Sequence, residues 1–373
     1  MSEAGRVGAT RVCFRPPSLK TGLKDPAPII PHSRPTIVDG DAERVARVVR
    51  GGHLVQGPEV MAFERGLALR LGAAAAAAVS SGSAALELAL RALDVGPGHE
   101  VIIPTYACDA LYHAVTRCGA TPVLADADPE TLGLSAADAI RRRTTRTRAA
   151  IVVHPFGLAV DLDDFQRLGV ALVEDCAQTL GATLGGRPVG ARGGLAVCSF
   201  YATKLLTTGE GGAVTGPAYL VARVRDARDY DERADLTPRF NYKMTDMQAA
   251  LGQSQLARLD AFIARRRALA ARYRAALVRA TRCRLPADAG EGHVYHRFVV
   301  AIEPPLAPVL ADLERRGVTA RRPVFRPIHR ALGLSGYPNA ERLWAERLSL
   351  PCYPLLTDGE AATVARALTE ALA

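Results

Sequence analysis

Between residues 101 and 216, short and wholly apolar runs recur between stretches of helical periodicity, and no other feature restricts the fold as much. The runs are VIIPT at 101–105, TPVLADA at 121–127, AAIVVHPFG at 149–157, VALVED at 170–175, LAVCSFY at 195–201 and GGAVTG at 211–216. A strand with one face in water alternates apolar and polar residues, whereas a continuous apolar run belongs to a strand covered on both faces. Such strands, separated by helices, predict an α/β fold with a mainly parallel sheet between two helical layers. From about 246 to 280 the pattern becomes a long Ala/Leu/Arg helix, a bridge to a second lobe. The remainder, with HRFVVAI as a strand, APVLADLERRGV as a helix and a final helix at 358–372, reads as a small α/β domain. The expected division is a flexible N-terminal extension at 1–28, a large domain at 29–250 and a small C-terminal domain at 251–373. The alanines at 73–78 are read as a composition bias without chemical meaning.

Composition narrows the function. The chain has 373 residues, 49% hydrophobic and 23% charged, which suits a globular protein with one large core and a satellite domain. It contains neither an apolar stretch long enough to span a membrane nor a secretory leader, so a cytoplasmic location without membrane attachment is expected. Seven cysteines without a CxxC pair encode neither a disulfide framework nor a zinc site. The net charge of +9 is spread along the chain and interleaved with acids, as in Glu64-Arg65 and Glu314-Arg315, so no nucleic-acid partner is expected. Almost all of that charge is arginine. The four lysines are Lys20, Lys24, Lys204 and Lys243, and chemistry that needs a deprotonatable amine has few places to go.

In parallel α/β sheets the ligand lies beyond the carboxyl ends of the strands. Four segments there carry candidate chemistry. In VSSGSAALELALRAL at 79–93 a strand runs through Ser-Ser-Gly-Ser into a helix, and Gly82 and Ser83 present amides and a hydroxyl to an anion. The alternative is an ordinary serine N-cap. In VALVEDCAQTLGA a buried strand ends in Glu174-Asp175, with Gln178 three residues on. That acid is either a helix cap or a fixed active-site carboxylate. In CSFYATKLLTTGEGGAV at 198–214, Phe200, Tyr201, Leu205 and Leu206 surround Lys204, and Ser199 precedes it. Desolvation lowers a lysine's pKa and makes it a nucleophile toward an aldehyde; the alternative is a surface lysine on a loop. In VIIPTYACDAL, Tyr106 stands just past a strand end, where it can stack on a planar ligand or fill the core.

In order along the chain, QGPEVMAFE, SSGSAALELALRAL, VIIPTYA, VHPFGLAVDLDDF, VEDCAQTLGA, VCSFYATKLLTTGEGGAV, NYKMTDMQAALGQSQLARLD and LSLPCYPLLTD resemble the DegT/DnrJ/EryC1/StrS sugar aminotransferases from about Ile30 to the C-terminus. The resemblance implies fold type I of the pyridoxal 5'-phosphate (PLP) enzymes: a large domain with a seven-stranded sheet, a small C-terminal domain, and a homodimer with shared active sites. By position Lys204 resembles the cofactor-bearing lysine and Asp175 the partner of the pyridine nitrogen. Gln178 resembles a residue against the ring, Tyr106 the stacking aromatic, and Gly82, Ser83 and Ser199 the phosphate ligands. Asn241 resembles the residue that reaches the neighbouring subunit's phosphate. Family members usually pass the amino group of L-glutamate to a nucleotide-linked keto sugar.

Departures and alternatives follow from the same motifs. The usual SSGT is SSGS here, which keeps the hydroxyl. Arg321, Arg322, Arg326 and Arg330 cluster around His329 where the family contacts substrate; they suit a pyrophosphate or form a solvated basic edge. His154 is either a substrate contact or a strand-end hydrogen bonder. Related sugar dehydratases carry histidine in place of the lysine, so Lys204 argues for amino transfer. A cysteine desulfurase would need a reactive loop cysteine, and Cys352 sits in a structural-looking segment. A free keto-cyclitol as acceptor, or a non-catalytic regulatory protein on the same fold, are the remaining alternatives.

Overall fold

Strand residues point alternately to the two faces of a sheet, and here the alternation sorts the core into layers. The computed structural model of the chain describes residues 29–190 and 192–373. Its strands are β1 (Ala75–Val79), β2 (Glu100–Pro104), β3 (Thr121–Ala125), β4 (Thr147–Val153), β5 (Ala171–Asp175), the hairpin β6 (Thr183–Leu184) and β7 (Arg187–Pro188), β8 (Gly194–Ser199), β9 (Gly212–Gly216), β10 (Cys283–Arg284), β11 (Phe298–Ile302) and β12 (Arg347–Leu350). The large sheet has seven strands in the order β1-β9-β8-β5-β4-β2-β3. Pairing is parallel from β8 to β3, and β9 runs antiparallel to both β8 and β1. Val101, Ile103, Ile151, Val173 and Val197 pack toward helices Gly82–Ala92 and Ala110–Arg117. Ile102, Val152, Leu172, Ala196 and Cys198 pack to the opposite face. Both faces are therefore dry, as the apolar runs require.

The alanine run at 73–78 forms most of β1, which corrects its reading as composition bias. Alanine favours helix, yet this edge strand is wedged between helices Pro58–Leu71 and Ala218–Ala227, where its small side chains are buried. Its outer backbone groups are covered by side chains. Glu64 accepts the Ala78 N–H at 2.8 Å, Arg228 donates to Ala78 O at 2.6 Å and to Glu64 at 2.5 Å, and Arg225 donates to Ala76 O at 2.7 Å. Glu64 and Arg228 are both buried. Glu64→Ala therefore leaves a buried guanidinium unpaired and opens a sheet edge, at a cost of about 3–5 kcal/mol. Thermal unfolding is expected to show a midpoint lower by about 10 °C.

The bridge to the second lobe is two helices rather than one. Thr245 and Gln248 form a capping box on Asp246–Leu256, which packs on helices Asp39–Gly51 and Pro58–Leu71; Leu259–Leu277 packs instead on Asp358–Leu372. The boundary expected after residue 250 thus falls inside a helix that stays with the large domain, and the packing partners change between Leu256 and Leu259. The small domain is the antiparallel sheet β10-β11-β12 under helices Leu259–Leu277, Leu306–Arg315 and Asp358–Leu372. Ile30 pairs with Val318 and joins this core, so the described chain begins in the small domain. The expected extension at 1–28 lies outside the described residues.

Candidate active site

β1, β2, β4, β5 and β8 all end at the same edge of the large sheet, and the residues singled out from the sequence follow those ends. The pleat places Glu174 and Asp175 on opposite faces. Asp175 lies on the side of Val173, toward the helix Gly82–Ala92, and Ser199 lies on the same side, with Val197. That helix starts with its own cap: Ser81 Oγ accepts the Ala84 N–H at 3.1 Å and Ser81 O the Ala85 N–H at 3.0 Å. The capping residue is therefore Ser81, which leaves the first-turn amides of Gly82 and Ser83 for an anion. A Cβ on Gly82 would stand 2.8 Å from Ser199 Cβ and 3.0 Å from its Oγ, so the turn and the serine touch only because residue 82 is glycine. Gly82→Ala should shift this cradle and weaken cofactor binding by about tenfold. Reconstitution followed by visible absorption measures the effect.

Asp175 is buried, and its Oδ1 accepts the Ala177 N–H at 2.9 Å. Burial pushes the carboxyl above the ordinary carboxylate range, opposed by that amide and by the nearby Lys204 and His154 side chains. Lys204 ends the turn after β8, its N–H bonded to Tyr201 O at 2.9 Å, with Phe200, Leu205 and Leu206 buried around it. Burial pulls the Lys204 amine below the ordinary lysine range; Asp175 opposes this and Arg297 adds to it. Such an amine is more readily the free base that attacks a carbonyl carbon. Lys243 is no rival: it is ion-paired to Asp229 at 2.7 Å and to Asp231. Lys20 and Lys24 lie outside the described residues.

Gln178 Oε1 accepts the Phe156 N–H at 2.9 Å. This bond holds Phe156 in the left-handed region, at φ 57°. Tyr106 packs edge-on against Phe156 with ring centroids 6.4 Å apart, its hydroxyl 3.5 Å from Leu343 O. The ring is buried in the core cluster that also holds Val173 and Val197. Asn241 is exposed beside β1, bridged through its backbone to Asp229.

Two histidines behave differently from the expectation that they contact substrate. His154 is buried on the far face. Its Nδ1 accepts the Val160 N–H at 3.0 Å, and its Nε2 faces Glu174 at 3.3 Å. Glu174 in turn accepts the amides of Gly190, Arg192 and Gly193, so His154 and Glu174, with Cys176 close by, form a satisfied structural pair. His329 is also buried, bonded through Nδ1 to Thr105 Oγ1 at 2.8 Å and through Nε2 to Glu341 at 2.7 Å, and stacked on Tyr337. Neither ring has a nitrogen left for a substrate. Of the basic cluster, Arg330 is paired with Glu341, and Arg322 and Arg330 lie over Trp344; Arg321 and Arg326 are exposed without an ion pair among the described residues.

A desolvated lysine and a buried aspartate at the carboxyl edge of this sheet, facing open helix amides, are the parts a PLP-dependent aminotransferase requires. The chain belongs to the DegT/DnrJ/EryC1/StrS aminotransferase family, whose sequence pattern it matches over residues 35–369. The family is PLP-dependent, and the chain is an aminotransferase. It is 36% identical to the GDP-perosamine synthase of Caulobacter vibrioides over 336 residues, 84% of this chain and 90% of that one. It is also 36% identical to the dTDP-3-amino-3,4,6-trideoxy-alpha-D-glucose transaminase of Streptomyces venezuelae over 343 residues, 87% of this chain and 90% of that one. Its fold matches the PLP-form of Spr1654, described as a putative sugar aminotransferase, from Streptococcus pneumoniae, with TM-score 0.87 and 26% identity over 92% of this chain and 98% of that one.

Proposed function

We propose that the chain passes the amino group of L-glutamate to a keto sugar carried on a nucleoside diphosphate, with Lys204 as the cofactor-bearing amine. The observation that carries the reading is that Lys204 and Asp175, both desolvated and each under the influence of the other's charge, stand at the strand ends beside the Gly82–Ser199 cradle. The names of the two relatives, one a GDP-sugar enzyme and one a dTDP-sugar enzyme, support a nucleotide-linked acceptor.

PLP, when bound, supplies an electron sink for the charge that develops at the carbon bearing the amine. The protein's own residues do the rest. The amides of Gly82 and Ser83, with the Ser199 hydroxyl, hold the phosphate. The Asp175 carboxylate, at the end of β5, would favour a protonated ring nitrogen. Gln178 and Tyr106 flank the ring, and Asn241 serves the neighbouring subunit in a homodimer with shared active sites. Lys204 Nζ would take the proton from the donor's α-carbon and deliver a proton to the acceptor carbon that receives the amine, as a general base and acid of lowered pKa can near neutral pH.

Incubation with 15N-labelled L-glutamate and nucleoside-diphosphate keto sugars, followed by mass spectrometry, should move the label onto a nucleotide-linked sugar. Label on a free keto-cyclitol alone, or glutamate that never becomes 2-oxoglutarate, would contradict the reading.

A further inference from the structure

Arg297 immediately precedes β11 of the small domain, yet its backbone is tied to the large-domain site. Its N–H donates to Phe156 O at 3.0 Å, and the Phe156 N–H donates to Gln178, so two hydrogen bonds separate it from a residue three positions past Asp175. The Val294 N–H likewise donates to Gly157 O at 2.9 Å, and a Cβ on Gly157 would strike the backbone of Tyr295 and His296, so the two segments interlock.

The Arg297 guanidinium is half-buried and, among the described residues, has no carboxylate within ion-pair distance. Its side-chain contact is the His32 ring, 3.3 Å from Nε2. Burial, with Arg297 and Arg321 nearby, holds His32 neutral, its pKa down to about 3, so that ring offers no counter-charge. Beside it His296 is 6% exposed, and its Nδ1 has no hydrogen-bond partner. His32, Ser33, His296 and Arg297 line one small cavity. The neighbouring charges are positive: Lys204, Arg266 and Arg297 all bear on His296. A desolvated arginine without a counter-ion, next to an unsatisfied buried imidazole, is costly to maintain unless an anion completes the set.

We propose that Arg297, with His296 beside it, is a carboxylate subsite that receives the amino donor. This rests on the aminotransferase reading of Lys204 above and deepens it. The planar fork of the guanidinium matches a carboxylate in two parallel hydrogen bonds, and glutamate carries a carboxylate on the very carbon whose amine must reach Lys204. The uncharged ring of a keto sugar offers nothing equivalent, so Arg297 sorts donors from acceptors.

The test is a spectral titration of the PLP-loaded enzyme with L-glutamate, in the unmutated protein, Arg297→Gln and Arg297→Lys. Arg297→Gln should keep the cofactor band, which shows that it is folded and loaded, and need about 10- to 100-fold more glutamate for half-conversion. Arg297→Lys should fall between the two. The reverse half-reaction with 2-oxoglutarate should weaken in parallel, because the keto acid carries the same carboxylates. Unchanged glutamate affinity in Arg297→Gln, or a loss confined to the sugar half-reaction, overturns the subsite alone. An unmutated, PLP-loaded enzyme that glutamate does not convert overturns the donor assignment itself and the subsite with it.

Discussion

Lys204→Ala should abolish amino transfer and leave a folded protein. In the described chain Lys204 Nζ makes no hydrogen bond, and burial pulls its amine below the ordinary range, so the folded state bears a cost for holding it. Removing the amine lifts that cost. Thermal unfolding of the variant is expected at or above the temperature of the unmutated protein. Turnover should fall by at least about 10^4-fold, the upper range for a general acid–base group, because the same atom also anchors the cofactor. Lys204→Arg should be as inactive, since a guanidinium keeps its proton and cannot act as nucleophile or base. A variant that loses activity because it unfolds would place Lys204 in the structure rather than in the chemistry.

Asp175→Asn should lower kcat by about 10^2- to 10^3-fold, the effect of removing one preorganised electrostatic partner. The substitution is nearly isosteric, and an amide oxygen can still accept the Ala177 N–H that Asp175 Oδ1 accepts at 2.9 Å. Shape is kept and charge is lost. The stability effect has a defined sign. A carboxyl whose pKa is raised by folding destabilises the protein as pH rises above the unfolded-state value, because the unfolded chain releases the proton first. Asp175→Asn should therefore be the more stable protein at neutral pH, and the difference should vanish below the ordinary carboxylate range. Paired unfolding curves at the two pH values check it.

The site was legible in the sequence where one residue type has one use. Lys204 is one of four lysines and the one set among apolar neighbours after a strand. Asp175 closes a run, VALV, that only a buried strand explains. Residues whose use depends on what they face were not legible. His154 and His329 stand where a substrate contact would, but a sequence does not tell that Val160, Glu174, Thr105 and Glu341 already occupy their nitrogens. Ser81 and Ser83 are indistinguishable as caps until the chain turns. Arg297 lies within HRFVVAI, which reads simply as a strand. The signal available was a charge at the mouth of that strand, but its isolation from carboxylates is a tertiary fact.

The same division holds for the fold. Apolar runs announced β2, β3, β4, β5 and β8, because a strand covered on both faces has no choice of composition. Only the end of β1 was legible, at Val79 before Ser-Ser-Gly-Ser; the alanines that form most of it speak for helix, and only the wedge between two helices makes them a strand. The reversed direction of β9 follows from a connection with no crossover helix, the loop that carries Lys204. The break at 257–258 was invisible because Ala257 and Arg258 suit a helix interior.

The most direct test of the account is the visible absorption spectrum of the purified protein supplied with PLP, before and after L-glutamate, beside Lys204→Ala. The unmutated protein should show a band of lysine-bound cofactor that glutamate converts to the pyridoxamine form, and the variant no such band. A protein that takes up no PLP, or a Lys204→Ala variant with the same band and the same response, would contradict it.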